Sequence, residues 1–151
     1  MTEFVRAQNV YLDVELHSKD EVLLFLSQMA EQCGYTANAE VVKRAFVERE
    51  ALGPTGMIDG IAVPHAKSAA ISHAGVLVVR FTEALDTWES IDGSPVSVAI
   101  ALLVPEAASG DGHVALLARV ARAHMDNELR TCIKISDDPA HVAACINALL
   151  D

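Results

Sequence analysis

The apolar run over residues 96–104 limits the folds open to this chain more than any other segment does. Ser97 is its one polar residue, and the run is about half the ~20 residues that a membrane-spanning helix needs. A strand that is apolar on both faces is typical of the centre of a sheet covered by helices on each side. The run therefore predicts an α/β protein with this strand at its centre.

Three further segments have the patterns of strands. One alternates apolar and polar residues, and the other two are apolar and rich in β-branched or small residues. These segments are residues 10–16, 61–63 and 75–81. Stretches with helical spacing separate them, and this interleaving predicts a single α/β domain over residues 1–151.

Signals for the starts and ends of helices lie between the strands. Ser18 and Glu21 form a capping box, and Gly34 is a stop signal for the helix that begins there. A second helix is expected from Asn38 to Gly53. Three more are expected after residue 112, over residues 126–133 and from residue 139 onward.

Charge and composition exclude several classes of protein. The formal net charge is −10, from 21 acidic and 11 basic residues, and no cluster of Lys and Arg offers a nucleic-acid surface. An acidic surface favours basic protein partners. No apolar segment of a signal peptide follows the first residues, so we expect a cytoplasmic protein. Cys33, Cys132 and Cys145 form no C-x-x-C motif, which favours reduced, buried thiols over a disulfide framework.

The strongest functional signal lies in residues 49–67, which read REALGPTGMIDGIAVPHAK. The glycines Gly53, Gly56 and Gly60 predict a backbone that turns sharply or lets a ligand approach closely. Pro64 donates no ladder hydrogen bond, so it is expected to end the strand over residues 61–63 and to place His65 at a strand end. A polar loop or turn is expected over residues 67–70.

Arg49 lies on the apolar stripe of the second helix, in register with Val42 and Phe46. An unpaired guanidinium there would cost several kcal/mol. Its side chain therefore either bends to water or pairs with Glu48 or Glu50, or it faces an anion at the glycine-rich turn. The planar fork of arginine suits a phosphate, because it donates two parallel hydrogen bonds.

The segments RE, TG and GIAVPHA, in this order, resemble the phosphorylation-site signature of enzyme IIA domains of the fructose/mannitol class (PTS EIIA type 2) of the bacterial phosphoenolpyruvate-dependent sugar phosphotransferase system. The W…DG.PV spacing from Trp88 to Val96 extends this resemblance to nearly the whole chain. One departure is that the family often has a further glycine where this chain has Ile58 or Asp59. The resemblance implies a mixed sheet of about five strands with helices on both faces.

The resemblance also implies the activity and three site residues. His65 would accept a phosphoryl group from the phosphocarrier HPr and pass it to a cysteine of a IIB protein, in a pathway that ends at a membrane IIC component. A neutral imidazole has a free lone pair for this step, and the family uses Nε2. Arg49 would face the phosphate, and backbone N–H groups around residues 56–60 would add to this. His113 matches the histidine of the family's HL..L helix, although a buried histidine at a helix start is the commoner role for such a residue.

Two other functions are consistent with the same residues. A regulatory, nitrogen-related paralogue would bind its targets according to the phosphorylation state of the same histidine. An interaction module would keep the fold without the chemistry, and the presence of Arg49, His65 and His113 argues against this last possibility.

No cofactor or metal is expected. The phosphoryl donor is a phosphohistidine on a partner protein, and the chain has no G-x-x-x-x-G-K-[ST] segment for a nucleotide. No H-x₃-H or H-E-x-x-H pair occurs, so a zinc site is not expected. His124 lies about 16 Å from His113 along the same expected helix, too far to share a ligand. The remaining histidines are expected at exposed positions near element ends: His17, His73 and His141.

Overall fold

A mixed sheet of five strands forms the centre of the fold. The computed structural model describes residues 5–106, 119–123 and 125–150. The strands are β1 (Val10–Val14), β2 (Ile61–Ala62), β3 (His65–Ser68), β4 (Gly75–Leu85) and β5 (Val96–Pro105). Strand β4 lies between β1 and β5, parallel to β1 and antiparallel to β5, and both β2 and β3 pair in parallel with the other edge of β5.

Strand β5 is the central strand that the apolar run predicts. Its residues 98–104 are all buried, and alternate side chains belong to two hydrophobic cores on opposite faces of the sheet. Ala99, Ala101 and Leu103 face one core, whereas Ile100 and Leu102 face the other. The prediction of a strand with both faces covered is confirmed.

Helices cover the two faces of the sheet. They are α1 (Lys19–Gln32), α2 (Ala39–Leu52), α3 (Asn127–Ile135) and α4 (Pro139–Leu150), and residues 119–123 are also helical. Val22 of α1 and Phe46 of α2 lie in one core, and Ile133 of α3 and Ile146 of α4 lie in the other. The expected mixed sheet with helices on both faces is confirmed. Within the residues described, no helix has the length and apolar character that crossing a membrane requires.

The helix boundaries follow the capping signals in the sequence. The hydroxyl oxygen of Ser18 accepts a hydrogen bond from the Glu21 N–H (3.1 Å) at the start of α1, and the side chain of Asn38 caps α2. Helix α1 is followed by Gly34, whose φ of +85° is the left-handed conformation of a helix stop. Most of the helix expected after residue 112 lies outside the described residues.

Pro64 interrupts the edge of the sheet without ending it. Strand β2 pairs with β5 near Val98, and the chain pairs with β5 again when β3 begins at His65, opposite Leu102. The prediction of a loop from residue 67 is therefore wrong for residues 67 and 68, which lie in β3, while residues 69 and 70 form the expected turn. The reason is that β5 extends beyond β2 and offers free backbone groups; Leu102 N–H donates to Pro64 O (2.9 Å).

Candidate active site

The structure brings Arg49 and His65 together at one edge of the sheet. Arg49 lies in the last turn of α2, and His65 is the first residue of β3. Arg49 Nε–H donates to His65 Nε2 at 2.8 Å, and Arg49 Nη1 donates to Gly53 O at 2.9 Å. Both side chains are half-buried. Arg49 therefore faces the imidazole and the glycine-rich turn, and no ion pair with Glu48 or Glu50 forms.

Two partners of His65 among the described residues determine which ring nitrogen carries the proton. A guanidinium N–H can only donate, so Nε2 must accept from Arg49 through its lone pair. A carbonyl oxygen can only accept, so Nδ1, which lies 3.1 Å from Val63 O, carries the proton and donates it. The ring is consequently the neutral Nδ1–H tautomer, with the Nε2 lone pair directed at Arg49.

Burial favours the neutral form of His65. Removal of the ring from water lowers its pKa, and the positive charge of Arg49 lowers the pKa further, whereas the hydrogen bond to Val63 and the charge of Glu50 act in the opposite direction. The net result is a pKa below the usual 6.5. At neutral pH the imidazole therefore keeps its lone pair, as a nucleophile must.

We expect an NMR titration of His65 to show a midpoint below 6.5. Since the unfolded chain titrates near 6.5, the neutral form contributes its full stability above this pH, and that contribution is lost as the pH falls from 6.5 through the folded-state pKa. Arg49→Met should raise the midpoint without restoring 6.5, because burial remains the larger cause. Arg44→Met, which removes an exposed arginine from the same helix, serves as the control. A midpoint above 6.5 in the wild type would contradict this assignment.

Glu50 and Thr55 hold the segment that supports the ring. The buried carboxylate of Glu50 accepts a hydrogen bond from the Thr55 N–H at 3.3 Å and another from the Thr55 hydroxyl. The Thr55 carbonyl accepts from the Val63 N–H at 2.9 Å, and the Val63 carbonyl accepts from His65. A continuous series of hydrogen bonds thus joins α2 to the imidazole. Both residues belong to the RE…TG pattern, which is the sequence signal for them, although the pattern alone assigns them no role.

Backbone N–H groups in the glycine-rich loop are engaged within the protein. Those of Met57, Asp59 and Gly60 each donate a hydrogen bond to the chain itself. Their acceptors are Ile61 O (2.7 Å), Asp92 Oδ2 (2.9 Å) and Ser94 Oγ (2.9 Å). The expectation that this loop supplies donors to an anion is therefore wrong for these three residues. The loop instead binds to the turn at Asp92, and this contact orients strand β2, which comes directly after the loop.

Asp59 adopts a backbone conformation in the glycine-rich loop that is typical of glycine. Its φ of +55° lies in the left-handed region, which glycine adopts without cost and which aspartate tolerates better than most residues. Its carboxylate accepts hydrogen bonds from Arg130 Nε at 3.1 Å and from Lys134 Nζ at 2.6 Å, and both residues belong to α3. Asp59 thus joins the glycine-rich loop to α3.

Gly56 packs too tightly for any side chain. A Cβ atom there would overlap the carbonyl oxygen of Glu89 and lie 2.8 Å from the Ser90 Cα. We expect Gly56→Ala to lower the free energy of unfolding by about 3 kcal/mol, because the obstructing atoms are backbone. Gly93→Ala in the neighbouring turn, where φ is +78° and no atom obstructs a Cβ, should cost only about 1 kcal/mol. Urea unfolding of both variants tests this. An equal decrease in the free energy of unfolding would show that the backbone at Glu89 and Ser90 shifts to accommodate the new Cβ atom.

Arg49 and His65 lie in a cleft of about 380 Å³. Lys67 and Glu48 also line it, and Leu52, with 85% of its surface exposed, lies at its rim. The cleft therefore presents a neutral imidazole beside a fixed cation and an exposed apolar residue. This arrangement suits an anionic group delivered by another macromolecule.

The remaining candidate residues are placed less completely. His113 and His124 lie outside the described residues, so the position of His113 relative to His65 stays a prediction. The histidines expected to be exposed are exposed: His17, His73 and His141.

Comparison with known proteins gives consistent matches over the whole described fold. The family model for "Phosphoenolpyruvate-dependent sugar phosphotransferase system, EIIA 2" matches residues 3–148. The PTS system 2-O-alpha-mannosyl-D-glycerate-specific EIIABC component of Escherichia coli is 28% identical over 97% of this chain, which spans only 22% of that protein. The nitrogen regulatory protein of Bradyrhizobium diazoefficiens is 32% identical over 91% of this chain and 88% of its own length.

A solved structure agrees with the fold. Nitrogen regulatory protein IIA-Ntr from Neisseria meningitidis matches with a TM-score of 0.87 and 28% identity, over 95% of this chain and 97% of that one. The chain thus spans 22% of the length of the EIIABC component, but 88% and 97% of the lengths of the two nitrogen regulatory proteins.

Proposed function

This chain belongs to the EIIA 2 family of the phosphoenolpyruvate-dependent sugar phosphotransferase system, and from this premise we propose that it is a phosphocarrier that acts through His65. His65 accepts a phosphoryl group from phospho-HPr and passes it to a cysteine of a IIB partner, in the cytoplasm. The observation that supports this most directly is the unprotonated Nε2 of His65 beside Arg49, at 2.8 Å.

The first step makes one phosphorus–nitrogen bond and breaks another. The Nε2 lone pair of His65 attacks phosphorus, and the histidine nitrogen of HPr leaves with the bonding electrons. The Nδ1 proton stays on the ring, donated to Val63 O, so no proton has to be removed before attack. Phosphoryl transfer depends mainly on alignment and on stabilising charge, and a ring held at both nitrogens meets the first requirement.

Arg49 supplies the charge. In the resting state the Arg49 Nε–H donates a hydrogen bond to His65 Nε2. As the phosphoryl group arrives, this N–H donates instead to the equatorial oxygens of that group. Because Nη1 stays bound to Gly53 O at 2.9 Å, the guanidinium remains at the site during the change. Lys67 lines the same cleft and adds a second positive charge. Following the resemblance, His113 is expected to add a further contact to the phosphoryl group.

The second step transfers the group onward. A thiolate of the IIB partner attacks phosphorus, and the His65 Nε2–phosphorus bond breaks with its electrons returning to the ring. The ring is then again the neutral Nδ1–H tautomer that began the cycle. The exposed Leu52 at the cleft rim provides an apolar contact for the incoming partners.

Reconstitution tests the proposal. With phosphoenolpyruvate, enzyme I and HPr, the chain should gain one acid-labile phosphoryl group by mass spectrometry, and omission of HPr should prevent this. Nitrogen-15 NMR of the product should place the phosphorus on Nε2 of His65. A stable phosphate on a hydroxyl group, or phosphorus on Nδ1, would contradict the proposal.

The second candidate is a regulatory protein whose docking depends on the phosphorylation of His65. Matches to nitrogen regulatory proteins over 88% and 97% of their lengths favour it. Affinity capture with phosphorylated and unphosphorylated chain separates the two roles. Recovery of a sugar-specific IIB that accepts the phosphoryl group supports transport, whereas recovery of a kinase or a potassium-uptake protein supports regulation.

A further inference from the structure

Two cysteines that are separated in the sequence meet where α3 and α4 pack together. The Sγ atoms of Cys132 and Cys145 lie 2.7 Å apart, although the residues are 13 positions apart. Both are free thiols, as expected, but they are only half-buried, so the expectation that they are buried is wrong for this pair. Solvent therefore reaches two adjacent soft ligands.

His141 completes a group of three ligands. It lies four residues before Cys145, so the two side chains lie on the same face of α4, one turn apart. One nitrogen of His141 and the two sulfur atoms all lie within 4.8 Å of one another. In a tetrahedral zinc site, with Zn–S near 2.3 Å and Zn–N near 2.0 Å, such atoms are ~3.5–3.8 Å apart. Small side-chain rotations bring the three atoms to that spacing.

The protein holds these ligands in place. The Ser136 hydroxyl lies 3.2 Å from His141 Nδ1, which restricts rotation of the ring. The buried Arg80 donates to Ser136 O at 2.7 Å and to Ile133 O at 3.3 Å. These bonds attach the turn between α3 and α4 to the sheet, so the ligands from the two helices keep a fixed relation.

We propose that Cys132, His141 and Cys145 form a binding site for a thiophilic divalent cation, Zn²⁺. Two thiolates and an imidazole are the ligands that zinc prefers, and solvent takes the fourth position. The sequence spacing hides the site, because its local pair is His-x₃-Cys and its third ligand comes from another helix.

Binding exchanges protons for the ion. Burial, together with the neighbouring Cys145 thiol, raises the pKa of Cys132 to about 12, so this thiol is protonated before the cation arrives. Each cysteine releases its proton to solvent as its sulfur–zinc bond forms, and His141 contributes the lone pair of a ring nitrogen. No oxidant or reductant takes part.

This site is separate from the phosphoryl site. Cys132 and Cys145 pack against the core on the α3–α4 face, whereas α2, which carries Arg49, packs on the opposite face. Zinc should therefore stabilise the packing of α3 on α4 and leave phosphorylation of His65 unchanged. A failure of the zinc proposal would therefore leave the phosphorylation assay unchanged, and a failure of the phosphocarrier proposal would leave the zinc-binding assay unchanged.

The test uses the full chain, reduced and freed of metal, with Zn²⁺ and Co²⁺ as probes. We expect one Zn²⁺ per chain in a competition assay with a chromogenic chelator, a rise in thermal stability, and a Co²⁺ spectrum with thiolate charge-transfer bands. Cys145→Ser and His141→Ala should each weaken Zn²⁺ binding at least tenfold. His141 is exposed, so its variant should fold normally. Cys33→Ser, which removes the third cysteine, is the matched control and should bind like the wild type.

Several results would overturn the proposal. The first is a wild-type chain that binds Zn²⁺ no more tightly than the Cys145→Ser variant does. The second is a His141→Ala variant that binds Zn²⁺ with wild-type affinity, and the third is a Cys33→Ser variant that binds it more weakly. Oxidation of Cys132 and Cys145 to a disulfide by dissolved oxygen, at the same rate with and without excess Zn²⁺, would also overturn it, since bound zinc would protect the thiols.

Discussion

Replacing His65 by glutamine is expected to abolish phosphoryl uptake completely. Glutamine is similar in size and keeps a polar group at the cleft, but its amide nitrogen has no free lone pair to attack phosphorus. The ring is half-buried and makes two hydrogen bonds within the described part of the chain, so the fold should persist. Phosphoryl incorporation from phosphoenolpyruvate through enzyme I and HPr, measured by mass spectrometry, gives the result directly.

His73→Gln is the matched control for this substitution. His73 is exposed and bonded to its neighbour, with Ser72 Oγ 2.8 Å from its Nδ1, and its variant should incorporate phosphate like the wild type. Thermal unfolding of both variants shows whether any loss of uptake reflects unfolding. Phosphate on the His65→Gln protein would assign the acceptor role to another residue.

Local patterns predicted the fold well where the determining interactions are themselves local. Ser18 and Asn38 cap the helices that their positions predict, and the apolar run that includes Ile100 and Leu102 forms the centre of the sheet. In each case the chemistry that defines the element lies within a few residues of it. Family resemblance then supplied what periodicity cannot, the mixed character of the sheet, its number of strands and the identity of the family.

Predictions were less accurate where distant segments decide the structure. Nothing near Pro64 indicates that β5 extends far enough to pair with Lys67 and Ser68. No residue close to Asp59 and Gly60 in the sequence marks their N–H groups as engaged, yet Asp92 and Ser94, more than thirty residues later, accept from them. Register along a neighbouring strand and contacts between loops depend on the whole fold, and a local pattern does not contain them.

The candidate site shows the same limit at the level of single atoms. The helical stripe places Arg49 against apolar residues and identifies it as anomalous, but its partner lies 16 positions away. The resemblance indicated His65 and Arg49, and the anomaly indicated Arg49 independently, whereas the tautomer of the ring follows only from the contacts with Arg49 and Val63. The buried contacts of Thr55 likewise become visible only when α2 and the loop are in place.

Arg49→Met is expected to slow phosphoryl transfer by about 10²–10³-fold, the usual loss when a donor to transition-state charge is removed. Methionine keeps much of the apolar stem, so packing on α2 should survive and unfolding should become easier by only about 1 kcal/mol for the hydrogen bonds lost. The loss should appear in the rate at saturating phospho-HPr, measured by rapid quench, because Arg49 lies 2.8 Å from the nitrogen that attacks phosphorus and is proposed to stabilise charge in the transition state.

Two further variants distinguish a specific role from a general charge effect. Arg44→Met removes one positive charge from the same helix at an exposed position and should transfer like the wild type. Arg49→Lys keeps the charge but loses the planar fork that reaches both His65 Nε2 and Gly53 O, so it should recover only part of the rate. If Arg49→Met transferred at the wild-type rate, the guanidinium would serve only to hold the tautomer. Full recovery in Arg49→Lys would instead mean that charge without geometry suffices, and the fixed hydrogen bonds at this site would then have no part in the rate.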